Sequence, residues 1–157
     1  MSCDVALSAA ILFASFNPQP GRPAMLIPAV AGATNPLASE PLFADIVGRA
    51  RKLNASVEAY RKSLTGENAP LPRFAAFKSG IAALSDMDMK GHLELAARGT
   101  DGDLKCILKG ISQDLPKRLA DLETAADHDK REAALKEMSY LLNDNVEVIT
   151  APPAPPV

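Results

Sequence analysis

Tryptophan is absent, and five phenylalanines and two tyrosines supply only 4% of the 157 residues. Base-stacking platforms and aromatic cages are built from such rings, so both are disfavoured from the start. Two cysteines, Cys3 and Cys106, are too few and too far apart for a disulfide framework or a thiolate zinc site. Cys106 instead reads as a small apolar residue within a helix. Net charge is only −2, which leaves no overall field to gather a polyanion. No apolar run approaches the ~20 residues that a membrane-spanning helix needs. Phosphate-cradling glycine loops, GxSxG elbows, HExxH and paired ExxH metal motifs are all missing. Nothing points to an enzyme, and neither a cofactor nor a metal is expected.

What remains is the composition of a globular domain, 47% hydrophobic and 23% charged. Residues 1–39 hold five prolines and two charged residues, Asp4 and Arg22, and read as a poorly ordered tail. Within it, Val5 to Phe16 is as long as a secretory apolar core, but no basic residue precedes it. A second apolar run from Met25 lacks one too. A cytoplasmic location follows, with export the alternative. Residues 146–157, ending in APPAPPV, read as an extended proline-rich tail.

Residues 40–145 carry helical periodicity throughout. Phe43, Ile46, Ala50, Leu53, Val57, Tyr60 and Leu64 alternate steps of three and four, the repeat that keeps one helical stripe on a partner helix. Ser39 is the expected N-cap, Pro41 suits the first turn, and Gly66 the stop. Phe74, Phe77, Ile81 and Leu84 predict a second helix. Ser85 and Asp88 read as a capping pair opening a third, with Met89, Leu93 and Ala96 inward and Gly99 closing it. Thr100 and Asp103 repeat the cap spacing before Leu104, Ile107 and Ile111. Leu115, Leu119 and Leu122 follow, then Leu135, Met138, Leu141 and Leu142 after an acidic helix start. The expected fold is all-α, a compact bundle of four to six helices between the two tails.

The functional expectation is binding to another protein or to a second copy of the chain. Phe43, Ile46, Leu53, Val57 and Tyr60 are the candidate interaction face, an apolar helix edge suited to a partner helix. The same stripe equally suits the domain's own core. A DNA-reading alternative rests on "LKGISQDLPKRLADLE", with Gly110 as the turn and Ser112 capping the second helix. The phrase from Gly110 to Glu123 resembles winged-helix repressors of the HxlR and MarR kind, whose recognition helix runs GIS, then Leu, Arg-Leu and Leu-Glu. That resemblance implies that Gln113, Lys117 and Arg118 meet the major groove. Three features depart from it, the first being Pro116 in the opening turn, unusual for a helix that enters a groove. The following "TAADHDKREAALKEM" continues as helix instead of entering a β-wing. Seven basic residues between Arg98 and Arg131 face seven acidic ones, which forfeits the phosphate term.

Two smaller motifs complete the survey. "DMDMKGHLELAA" places Asp86, Asp88, Gly91 and Leu93 at the positions of an EF-hand loop. Lys90 stands where an acid belongs, and Ala97 replaces the bidentate glutamate. A lone His92 on a helical bundle resembles histidine phosphotransfer domains, but Leu95 takes the place of their lysine. His128, between Asp127 and Asp129, belongs to a polar helix start.

Overall fold

Four helices follow a short 3-10 turn at Pro36–Ser39 in the computed structural model, which describes residues 35–64, 70–100 and 102–151. They are α1 (Pro41–Ser63), α2 (Phe74–Arg98), α3 (Gly102–Thr124) and α4 (His128–Thr150). Each contacts the next, and α4 returns to α1, so the diagonal pairs α1/α3 and α2/α4 have no direct backbone approach. Side-chain pairings show neighbours running antiparallel. Asn54 meets Asn143, Glu58 meets Ser139, and Arg61 meets Glu132, numbers rising on α1 as they fall on α4. Ser85 with Ser112, and His92 with Lys105, do the same for α2 and α3. The all-α bundle is therefore up-down-up-down, the arrangement short connections allow.

The core is made of one stripe per helix. On α1 it is Phe43, Ile46, Ala50, Leu53, Val57 and Tyr60, all buried. On α2 it runs Phe77, Ile81, Leu84, Asp88, Gly91 and Leu95; on α3 it includes Leu104, Leu108, Ile111, Leu115 and Leu122. On α4 it is Leu135, Met138, Leu142, Asn145 and Ile149. The recurring steps of three and four keep each stripe on the bundle axis along the whole helix. Gly91 permits close approach there: a Cβ on it would lie 3.2 Å from Leu108 and 3.3 Å from Phe43.

Several expected boundaries differ. Ser39 does not cap α1; its hydroxyl donates to Pro36 O within the 3-10 turn, and Glu40 takes the cap position. The helix ends at Ser63, and the expected stop at Gly66 lies outside the described residues. Ser85 and Asp88 open no new helix, because α2 runs unbroken from Phe74 to Arg98. The stripe continues across that point, so burial holds the helix together where local capping signals would divide it. Leu93 and Ile107, expected inward, are surface residues, 59% and 36% exposed. Val146–Thr150, expected extended, form the last turn of α4 with Ile149 fully buried. Of the expected N-terminal tail only residues 35–39 are described, as the 3-10 turn with Leu37 buried; residues 1–34 and 152–157 lie outside the described residues.

The largest difference is at Gly110. The expected turn of a helix-turn-helix is absent: α3 is continuous from Gly102 to Thr124, and Gly110 has no positive φ. Ser112 caps nothing; its hydroxyl donates to Lys109 O, one turn back. Leu108, Ile111 and Leu115 on one face fix that continuity, since a turn at Gly110 would throw half of them off the axis. The chain does turn at Gly99 (φ 68°), whose N–H bonds Ala96 O and Leu95 O in a left-handed helix stop.

Pro116 lies inside α3, where its missing N–H deprives Ser112 O of the usual helical donor. The Ser85 hydroxyl of α2 donates to that same oxygen at 2.6 Å. The residue that looked like a cap thus completes a neighbouring helix. Asp127 is the true N-cap of α4, accepting from Lys130 N at 2.8 Å.

Two predictions follow from this geometry. Gly110→Ala should raise stability in urea by about 0.5–1 kcal/mol, as for a glycine within a helix. Gly99→Ala, at positive φ, should lower it, and the opposite pair of signs would restore the turn to Gly110. Ser85→Ala should cost about 1–3 kcal/mol by stranding Ser112 O. Pro116→Ala, which returns the helical donor, should recover most of that loss in the double variant.

Candidate functional site

Beside its buried stripe, α1 carries a second one at the same spacing: Arg49, Lys52, Ser56, Ala59 and Ser63. On α2 the facing edge is Arg73, Ala76 and Gly80. Small side chains on both edges leave the helices unfilled between them, and a groove of about 630 Å³ results. That lies in the range of ligand-binding clefts, which form between bundle helices. Gly80 brings α2 close to Leu53 here: a Cβ on it would sit 2.9 Å from Leu53 Cδ2, so that side chain would have to turn aside.

The floor is apolar. Leu53, Tyr60 and Phe77 line it while remaining under a tenth exposed. The Tyr60 and Phe77 rings meet edge to face at 5.3 Å, and Phe74 stacks on Phe77 at 6.1 Å. The Tyr60 hydroxyl donates to Pro72 O at 2.8 Å and so fixes the chain leading into α2. Burial raises its phenol pKa, keeping it a neutral donor.

The rim is cationic. Arg49, Lys52 and Arg73 line the groove, and among the described residues no Asp or Glu does. Arg49 is partly neutralised by Asp45 at 3.0 Å, whereas Lys52 and Arg73 form no ion pair among the described residues. Arg73 also holds a left-handed backbone (φ 55°, ψ 29°), alone among the non-glycine described residues. Such a conformation costs about 1–3 kcal/mol and persists where the surroundings enforce it. Here Arg73 stands between Pro72 and the first residue of α2, at its N-cap position.

The sequence-derived face lies elsewhere in the bundle. Phe43, Ile46 and Val57 are fully buried, and Leu53 and Tyr60 nearly so, covered by the chain's own helices. Only Leu53 and Tyr60 also reach the groove. Gln113 and Lys117 are exposed on α3 and Arg118 is half-buried, with Lys117 paired to Asp114 at 2.8 Å and Arg118 to Asp121 at 3.0 Å. Residues 86–97 are helical, so no EF-hand loop forms. His92 is half-buried with Nδ1 2.7 Å from Lys105 O, and His128 lies beside Asp129 at the start of α4. Cys106, expected to pack as a small apolar residue, is half-buried and is not a free thiol. Among the described residues, no three His, Cys, Asp or Glu side chains converge to hold a metal ion. Among the described residues no helix is long and apolar enough to cross a membrane.

Nothing in the sequence marked Arg49, Lys52 or Arg73 as site residues. The run of small residues at helical spacing, Ser56, Ala59 and Ser63 opposite Ala76 and Gly80, is the pattern that marks the groove.

Tyr60→Phe should cost about 0.5–1.5 kcal/mol, the net value of the lost bond to Pro72 O. Chemical-shift changes in the variant should concentrate at Leu71–Phe74 rather than spread through the bundle. No protein-family model, curated protein or solved structure matches this chain.

Proposed function

We propose that this small helical protein acts without catalysis, by protein–protein interaction, and that the α1/α2 groove is its working surface. The occupant is an acidic segment of a partner protein carrying an apolar anchor residue. One observation carries this reading: an apolar floor of Leu53, Tyr60 and Phe77 under a rim of three cations with no carboxylate among the described residues. An apolar side chain would gain from burial on the floor, while flanking acids would find Lys52 and Arg73. The strained backbone of Arg73 supports the reading, since strain at a rim residue is kept where position matters more than stability. Among the described residues no protein group already neutralises Lys52 or Arg73, so a partner's acid displaces no existing ion pair there.

Fluorescence anisotropy of the full chain with three probes tests the proposal. They are a peptide with leucine and phenylalanine among glutamates, its lysine counterpart, and a DNA duplex. The acidic peptide should bind best, and its affinity should fall with added salt. Lys52→Glu with Arg73→Glu should weaken it at least about tenfold with no change in melting temperature, the scale of losing well-placed charge pairs. Equal binding of both peptides, or indifference to the charge reversal, would overturn the groove as the site. Preferred binding of the duplex, lost on Lys117→Ala and Arg118→Ala, would overturn it in favour of the outer face of α3.

Arg73→Gly separates function from fold. It removes both the strain and a rim cation, so stability should hold or rise by up to ~1 kcal/mol while peptide affinity drops. A variant losing neither affinity nor strain would show Arg73 to be idle.

A further inference from the structure

Asp88 and Asn145 are fully buried on α2 and α4, the diagonal pair whose backbones do not otherwise meet. Asn145 Nδ2 donates to Asp88 Oδ2 at 2.9 Å. That bond leaves Asp88 Oδ1 and Asn145 Oδ1 buried without a partner. An ionised Asp88 has no hydrogen to offer, so it would strand both oxygens in the core. One proton on Asp88 Oδ1 resolves both at once. The resulting acid donates O–H to Asn145 Oδ1 while Oδ2 accepts the amide N–H, and two planar groups close a ring through two hydrogen bonds.

We propose that Asp88 is a neutral carboxylic acid in the folded protein, and that its ring with Asn145 is a proton-dependent latch tying α2 to α4 across the bundle axis. Loss of the proton to solvent breaks the O–H···O bond and sets two lone-pair-bearing oxygens against each other. The bundle loosens at that point. The latch stands apart from the groove and does not depend on what the groove binds.

The surroundings favour the neutral form. Burial pushes the Asp88 carboxyl up to about 8, and the Asn145 amide is the only influence opposing it. Charged neighbours are turned elsewhere on every helix. On α2, Asp86 and Lys90 are exposed and His92 faces Lys105 O. On α1, Asp45 and Arg49 pair at the surface. Lys105 and Lys109 on α3, and Asp144 on α4, are half-buried, and Glu147 is exposed. None of them acts on the Asp88 charge.

The direction of the pH effect follows from a folded pKa raised above the ordinary 3.8. Stability from this group is fully present below that ordinary value. It falls as pH rises towards about 8, where the folded state also loses its proton, and is level beyond.

Asp88→Asn is the informative variant. Its amide can still donate to Asn145 Oδ1 and accept from Nδ2, so the ring survives without a titrating proton. Urea unfolding of both full-length proteins between about pH 5 and pH 7.5 should show the wild-type unfolding constant rising roughly tenfold per pH unit relative to the variant. In the wild type, the Asp88 carboxyl carbon resonance should keep its neutral-acid position through neutral pH. The Asn145 side-chain amide should shift with the same alkaline midpoint. A carboxyl already ionised near pH 6, or a flat stability ratio, would overturn the latch. A neutral acid whose titration leaves the Asn145 amide unmoved would overturn the ring. Should the variant fail to fold, the two wild-type resonances decide alone.

Discussion

Four apolar stripes must meet on one axis, and nearly every other feature of the protein yields to that demand. Each helix repeats at steps of three and four, which keeps its inner edge facing the others for its full length. Phe43, Ile81, Leu108 and Leu142 are fully buried, one from each helix. Ordinary burial energies of about 1.5–3 kcal/mol per such side chain make this the dominant favourable term. It explains why α2 passes through a capping signal and α3 through a glycine. Breaking either helix would expose half a stripe.

The stripe also tolerates members that do not belong to it by chemistry, provided their needs are met locally. Asp88, Gly91 and Asn145 occupy core positions. Gly91 serves by its lack of a side chain, letting Leu108 and Phe43 close on the backbone. The Ser85 hydroxyl compensates α3 for Pro116. Along the α1–α4 seam a polar chain links Asn143, Asn54, Ser139, Glu58, Arg61 and Glu132. Hydrogen bonds from Ser139 and then Arg61 hold the Glu58 carboxyl below its usual range. Such a seam fixes the sliding register of two helices that apolar packing alone would leave loosely specified.

Function and core compete for the same helix faces. The α1 stripe is buried inside the chain, and the edge beside it is what α1 leaves open. There, Ser56, Ala59, Ser63, Ala76 and Gly80 are too small to fill the space between α1 and α2, and cations stand along its rim. Glu40 and Arg98, by contrast, satisfy each other at the opposite end of α1, where the guanidinium bonds lower the Glu40 pKa. Charges there are committed to the fold, while Lys52 and Arg73 on the groove rim form no ion pair among the described residues.

Helix content and the α1 core were readable from the sequence because both depend on spacing along a single element. The apolar stripe from Phe43 to Tyr60 could be read from its spacing, which suited the chain's own core and a partner helix equally. The reading failed where a residue's chemistry misrepresented its position. Asp88 and Ser85 looked like caps, Gly110 like a turn, and Leu93 like core, since local propensity is weak beside the packing of a whole stripe. Chain order therefore determined that there would be amphipathic helices and which edge of α1 would be hidden. Only the assembled bundle decided that Asp88 meets Asn145, that Ser85 serves Pro116, and that small residues on two helices leave a groove between them. Those pairings join positions tens of residues apart, and no periodicity within one helix records what the next will place opposite it.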